Sequence, residues 1–109
     1  MHVVTTTDGR QCVEYFKLGC FDVVLMDDVM PHMSGIEATI QIRSLEVRWA
    51  RERTPIIAVT ANAFRHRLEE FLAAGADDVV IKPYQINELA AKVLRWSVSR
   101  TKASRLSGT

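Results

Sequence analysis

The sequence predicts an α/β fold, a doubly wound and mostly parallel sheet. Short apolar runs alternate along the chain with segments of helical spacing, the order expected of strands joined by crossover helices. Each run is bounded by turn formers such as Gly, Pro, Asp and Ser, as buried strands are. Three runs deliver a polar side chain to their carboxyl ends: Asp27, Thr60 and Lys82. In open sheets of this kind chemistry collects at those ends.

Taken in order, Val3-Val4-Thr5 is a short strand. Asp8-Gly9-Arg10-Gln11 supplies a cap and a Gln three residues on, opening a helix with Cys12, Val13 and Phe16 on one face and a stop at Gly19. The run from Phe21 to Asp27 is a buried strand, followed at once by Pro31 and Gly35. Ser34-Gly35-Ile36-Glu37 is a second capping box, and its helix carries Ala38, Ile42, Leu45 and Trp49 at helical spacing. Thr54-Pro55 restarts an extended segment that ends at Thr60. Asn62 caps a helix bearing Phe64, Leu68 and Leu72, closed by Gly75. Val79-Val80-Ile81 then leads into Lys82-Pro83, and a last helix turns Ile86, Leu89, Ala90, Val93 and Leu94 inward.

The apolar spacing stops at Ser97, after which Arg100, Lys102 and Arg105 appear with no acid. Residues 1–96 are therefore expected to form one folded unit and 97–109 a flexible basic tail or linker. A length of 109 residues fits a single domain that buries its core without disulfides or metals. Its 48% hydrophobic and 25% charged residues argue against disorder throughout. A net charge of +1 gives no general attraction to nucleic acid or to an anionic membrane. No apolar run approaches the roughly 18 residues needed to span a bilayer, and no secretory signal opens the chain. A cytoplasmic location follows, without nucleic-acid or membrane partners.

Cys12 and Cys20 lack metal-ligand spacing and read as reduced, part-buried cysteines. His2, His32 and His66 also lack such spacing and read as surface residues. Met26, Met30 and Met33 are packing residues of core and loop. Asp28 and the pair Asp77-Asp78 read as solvated turn residues.

A carboxylate, a hydroxyl and an ammonium at three parallel strand ends are expected to converge on one crevice. There they could accept, hydrogen-bond and neutralise a phosphoryl group. At this point the residues resemble a family. Leu25-Met26-Asp27 through Met30-Pro31-His32-Met33-Ser34-Gly35 is similar to the phosphoacceptor loop of response-regulator receiver domains, in which Met-Pro follows the Asp at the third and fourth positions. Pro55-Ile56-Ile57-Ala58-Val59-Thr60-Ala61 resembles their fourth strand with its switch hydroxyl, and Gly75-Ala76-Asp77-Asp78 through Lys82-Pro83 their fifth strand with its lysine. The similarity runs from about His2 to Trp96, and the wording is most similar to receivers of hybrid sensor histidine kinases.

The resemblance implies a flavodoxin-like receiver fold and a phosphorelay role, a signalling module and not an enzyme. Asp27 would take a phosphoryl group from a histidine kinase or histidine phosphotransfer protein. Thr60 would bond the phosphoryl oxygens, Lys82 would pair with Asp27, and the Val29 carbonyl together with Asp27 would ligate Mg²⁺. Adjacent side chains at a strand end point to opposite sides, so only one of Asp27 and Asp28 can face the crevice.

Two departures accompany the resemblance. The family's first strand, with its acidic pair, and its first helix are absent ahead of Met1. Mg²⁺ usually needs more than one protein anchor, so weak or lost Mg²⁺ binding and impaired phosphotransfer are expected. With family strand order 2-1-3-4-5, that absence leaves a gap between Val3-Val4-Thr5 and the Asp27 strand. Either the first strand shifts across to pair with the Asp27 strand, or another chain fills the gap; marginal stability and self-association are expected. The second departure is Val79, where receivers often carry Tyr or Phe. Two other functions compete. A degenerate receiver would serve only as a protein–protein interaction module. A haloacid-dehalogenase-like phosphohydrolase would need a second Asp two residues after the first, where this chain has Val29.

Overall fold

The computed structural model describes residues 3–6, 8–18, 22–29 and 33–107, those beyond Ser97 as backbone. Its sheet has four strands, β1 (Val3–Thr6), β2 (Val23–Asp27), β3 (Ile56–Thr60) and β4 (Asp78–Ile81), in the order β1-β2-β3-β4 and all parallel. They alternate with α1 (Gly9–Leu18), α2 (Gly35–Arg48), α3 (Arg65–Ala74) and α4 (Ile86–Ser107). The expected gap in the sheet is closed: β1 lies directly against β2, with Val3 beside Val23 and Thr6 beside Met26. Of the two outcomes the sequence left open, the chain takes the intramolecular one.

Register sorts the side chains. Leu25 sits beside Ile57 and Asp27 beside Val59, while Val59 sits beside Val80. Side chains alternate along a strand, so Val23, Leu25, Ile57 and Val80 share one face, where Leu89, Val93 and Trp96 of α4 cover them. Val24, Met26 and Ile56 share the other face and meet Cys12, Val13 and Phe16 of α1 with Ala38, Ile42 and Leu45 of α2. Ala58 on that same face meets Phe71 of α3. Cys12 is buried and outside any disulfide, Met26 is core and Met33 packs against it. Gly19, His2, Cys20, Met30, Pro31 and His32 lie outside the described residues.

The helix starts follow local chemistry. Asp8 accepts the Arg10 amide on its carboxylate at 2.9 Å, and its carbonyl accepts the Cys12 amide at 3.0 Å. Ser34 Oγ accepts the Glu37 amide at 3.2 Å. At α3 the cap differs from expectation. Asn62 accepts from the Phe64 amide at 3.0 Å in a turn before the helix, and Phe64 occupies the cap position with no side-chain bond. Phe64 therefore falls out of helical phase and is exposed, as is Leu72; Phe71 is the buried anchor. In α4, Leu89, Val93 and Trp96 face the sheet, whereas Ile86, Ala90 and Leu94 do not. Their spacing admits two faces, and the sheet takes the one that also carries the Lys92 and Trp96 donors. The α4 backbone continues to Ser107, where the sequence suggested a tail from Ser97. No Gly or Pro interrupts that stretch, so nothing in its sequence breaks the helix.

The acidic pair after α3 is a junction, not a solvated turn. Arg43 of α2 donates to Asp77 Oδ2 at 2.8 Å, to the Gly75 carbonyl at 2.9 Å, to Glu46 at 2.7 Å and to the Thr54 carbonyl at 2.8 Å. Asp77 also accepts the Ile56 amide at 2.9 Å and Arg53 Nε at 3.0 Å. Glu46 accepts the Thr54 amide at 2.6 Å. Asp78, one residue on, faces α4 and accepts from Trp96 Nε1 at 3.1 Å and Lys92 Nζ at 2.9 Å. Buried backbone donors at the strand starts need acceptors, and these carboxylates supply them. Arg51 does similar work at the end of α1, donating to the carbonyls of Phe16 and Lys17 while stacking on Phe16 and Trp49. Trp49 serves as that platform, half-exposed, and not as core.

Two predictions follow from this junction. Gly75 has φ +120, and a Cβ there would lie 2.7 Å from Arg43 Cγ. Gly75→Ala should cost about 1–3 kcal/mol in urea unfolding through strain and displacement of Arg43; an unchanged midpoint contradicts the account. The second concerns acid. Burial alone would raise the Asp78 carboxyl, but the Trp96 and Lys92 hydrogen bonds and the Val79 amide outweigh it and hold it below the ordinary value. A depressed folded value stabilises the fold above the unfolded carboxyl range of about 4 and is lost as pH falls below it. Asp78→Asn should therefore flatten the fall in stability below about pH 4, as read by denaturation at several pH values. An identical slope in the variant would show that Asp78 contributes nothing there.

Candidate functional site

The carboxyl ends of β2, β3 and β4 bring the site residues together in two pairs. Because Asp27, Val59 and Val80 are aligned, Lys82 lies two residues past Val80 on the Asp27 side. Lys82 Nζ lies 3.2 and 3.3 Å from the two Asp27 carboxylate oxygens. Both side chains are partly exposed, at 41% and 34%. They border an open crevice of about 220 Å³ whose walls include Leu25, Val59, Tyr84 and Leu89. The Lys82–Pro83 peptide is cis, and the Lys82 amide donates to the Thr60 carbonyl at 2.8 Å.

Thr60 falls on the opposite side. The Asp28 amide donates to the Val59 carbonyl, which sets Asp28 beside Thr60. The Thr60 hydroxyl donates to Asp28 Oδ2 at 2.7 Å and accepts the Asn62 amide at 2.9 Å. Asp28, expected as a solvated turn residue, is 6% exposed. Its carboxylate is gripped by Arg67 of α3, whose Nη2 donates to Oδ1 and whose Nε donates to Oδ2 at 3.3 Å. Burial pushes the Asp28 carboxyl up, but the bonds from Arg67 and Thr60 and the Arg67 charge outweigh it, leaving the group below its usual range. The same pairing raises the Arg67 guanidinium. Beside them is a second, wider crevice bordered by Val29, Ala61, Asn62, His66 and Glu70. His66 stands exposed, stacked on Phe64.

The structure thus joins Asp27 to Lys82 and joins Thr60 to Asp28 instead of Asp27. Sequence reasoning missed Arg67. Its signal was the register: once Asp28 stands beside Thr60, a buried carboxylate needs a cation from the helix that covers that face.

The start of α2 is held close to the end of β2. Gly35 opens α2 against the end of β2, its amide donating to the Asp28 carbonyl at 3.1 Å. A Cβ at Gly35 would come within 2.1 Å of the Asp27 carbonyl oxygen. Only glycine lets the first turn of α2 approach the Asp27 backbone so closely. Val29 projects into solvent, 84% exposed.

For Mg²⁺ the oxygens on offer are few. Asp27 is paired with an ammonium and Asp28 with a guanidinium, and among the described residues no group of three or more His, Cys, Asp or Glu could hold a metal ion. One carboxylate and one main-chain carbonyl are a poor fit to a cation that favours octahedral oxygen.

Comparison with known proteins places this geometry. The family model described as the response regulator receiver domain matches residues 1–94. The autoinducer 2 sensor kinase/phosphatase LuxQ of Vibrio vulnificus is 42% identical over 96 residues, covering 88% of this chain and 11% of that protein. The sensor protein GacS of Pseudomonas syringae is 38% identical over 95 residues, covering 87% of this chain and 10% of that protein. The chain thus spans about a tenth of the length of the curated relatives it matches. Among solved structures, the receiver domain of sensor histidine kinase PA1611 from Pseudomonas aeruginosa, with a magnesium ion coordinated in its active-site cleft, superposes with TM-score 0.71 at 38% identity. That match covers 84% of this chain and 73% of that one. The receiver domain of Ssk1 from Saccharomyces cerevisiae, in complex with the histidine phosphotransfer protein Ypd1, gives TM-score 0.80 at 28% identity, covering 85% of this chain and 69% of that one. With its parallel sheet, its strand-end Asp27 and Lys82, and a family match over most of its length, this chain belongs to the response regulator receiver domain family.

Proposed function

We propose that Asp27 is the phosphoacceptor of a phosphorelay, taking its phosphoryl group from a histidine kinase or a histidine phosphotransfer protein. The observation that carries this reading is the contact of Lys82 with both Asp27 oxygens beside an open crevice. A carboxylate oxygen of Asp27 attacks phosphorus, the P–N bond to the donor imidazole breaks with its electron pair leaving on nitrogen, and an acyl phosphate forms. Lys82 offsets the charge that gathers on the phosphoryl oxygens. Mg²⁺ would add charge neutralisation between donor and acceptor. Asp27 and the Val29 carbonyl are the groups among the described residues that would hold it, and two protein oxygens would hold it weakly. Phosphotransfer would accordingly be slow. Receiver domains are signalling modules, and the phosphohydrolase reading lacks its general acid, since Val29 stands where that Asp belongs. We place this chain in the cytoplasm; no helix among its described residues is long and apolar enough to cross a membrane.

Incubation with acetyl phosphate or a phosphorylated histidine phosphotransfer protein, at saturating Mg²⁺, should add one phosphoryl group at Asp27 by mass spectrometry. Asp27→Asn should abolish the label. Lys82→Ala should lower its rate by at least about ten-fold while leaving circular dichroism unchanged. Rapid labelling at submillimolar Mg²⁺ would contradict the weak-metal assignment, and no label under any condition would favour a receiver kept only as an interaction module.

Self-association is the second expectation. Val3 and Thr5 of the edge strand β1 are exposed on the α4 side, and Ile86 and Leu94 of α4 are exposed as well. Bare edges and apolar surface favour association. Light scattering after size exclusion at micromolar concentration should show species larger than a monomer, and a clean monomer with sharp unfolding would remove this reading.

A further inference from the structure

We propose that Asp28 and Arg67 form a positioning pair that withholds the Thr60 hydroxyl from Asp27, so that phosphorylation must break the Thr60–Asp28 bond and thereby loosens α3. This rests on the reading of Asp27 as phosphoacceptor. A threonine hydroxyl has one proton to donate, and here it is given to Asp28 Oδ2 at 2.7 Å. Both residues are buried, and the bond ends on a carboxylate, which strengthens it. Thr60 cannot donate to Asp28 and to a phosphoryl oxygen on Asp27 at once. The two acceptors compete for a single proton.

The competition reaches α3 through Arg67. Its guanidinium binds both Asp28 oxygens and lies 5.6 Å from the ring centre of Phe71, the buried anchor of α3. Glu70 holds the outer side of Arg67 at 3.2 Å, and the Lys82 charge also acts on Asp28 from the far side of the sheet. Val79 packs beneath α3 in the Ala58, Phe71 and Ala76 cluster and brings no aromatic ring of its own to report the state of the site. The chain Thr60–Asp28–Arg67–Phe71 is a continuous alternative route. By linkage, whatever phosphorylation does to the Asp28–Thr60 bond, loss of that bond must do in reverse to phosphorylation.

The test uses the full chain and acetyl phosphate, reading the ratio of labelled to unlabelled Asp27 at steady state. Asp28→Ala leaves Arg67 paired with Glu70, so no charge is orphaned. It should raise the ratio about 5- to 10-fold with Thr60 present and leave it unchanged in a Thr60→Val background. An equal rise in both backgrounds, or none, overturns the proposal. Should Asp28→Ala not fold, Asp28→Asn, a neutral and weaker acceptor, should give a smaller rise with the same dependence on Thr60. A second readout needs no label: NMR of the unmodified protein should show a slowly exchanging Thr60 hydroxyl proton that Asp28→Ala removes. Its absence from the native chain overturns the positioning pair, whatever the labelling. Its presence in a chain that never takes label overturns the phosphoacceptor reading, and this proposal with it.

Discussion

Alternation across a registered parallel sheet decides where every functional group in this protein falls. With Asp27 beside Val59 and Val59 beside Val80, the odd positions of β2 and β3 and the even positions of β4 face α4. Asp27 and Lys82 therefore meet on one side, and Asp28 and Thr60 on the other. A shift of one residue in any pairing would exchange these sides and place charged groups into the core. The register is fixed by burial on both faces: Val24 and Met26 fill one core, Val23 and Ile57 another. Packing energy and chemical placement are thus one constraint.

The opposite end of the sheet is held by charge. Arg43 binds α2 to the turn before β4 and to the start of β3 through carbonyls and carboxylates that have little access to water. Its planar fork serves four partners together, a geometry that lysine cannot reproduce. A buried network of this kind adds modest net stability but penalises misplacement of any member. It fixes the starts of strands whose far ends carry the site.

Much of this was legible in the sequence. The alternation of strands and helices, the Ser34 capping box, the Cys12-Val13-Phe16 face and the strand-end positions of Asp27, Thr60 and Lys82 all follow from local pattern. Local pattern carries no register, so the sequence reading set Thr60 beside Asp27 and left Asp28 to solvent. Arg67 and Arg43 were missed for a related reason: arginines on helices are usually solvated, and only tertiary placement shows which carboxylate each one meets. In α4 the apolar residues offered two overlapping faces, and Lys92 and Trp96, through Asp78, select between them. The closed gap beside β2 could not be read from spacing, because either neighbour satisfies the strand's hydrogen bonds.

The bare side of β1 gives the sheet graded mechanical strength. β2 is flanked on both edges, but β1 has one neighbour, and on the α4 side Val3 and Thr5 meet solvent. Peeling β1 away breaks a single ladder at the margin, whereas parting β2 from β3 also opens the cores on both faces, so peeling costs less. Local opening of this kind proceeds in steps below the free energy of global unfolding. β2, β3 and β4 carry Asp27, Thr60 and Lys82 at or just past their ends, and β1 is the margin whose loss leaves those three strands paired with one another.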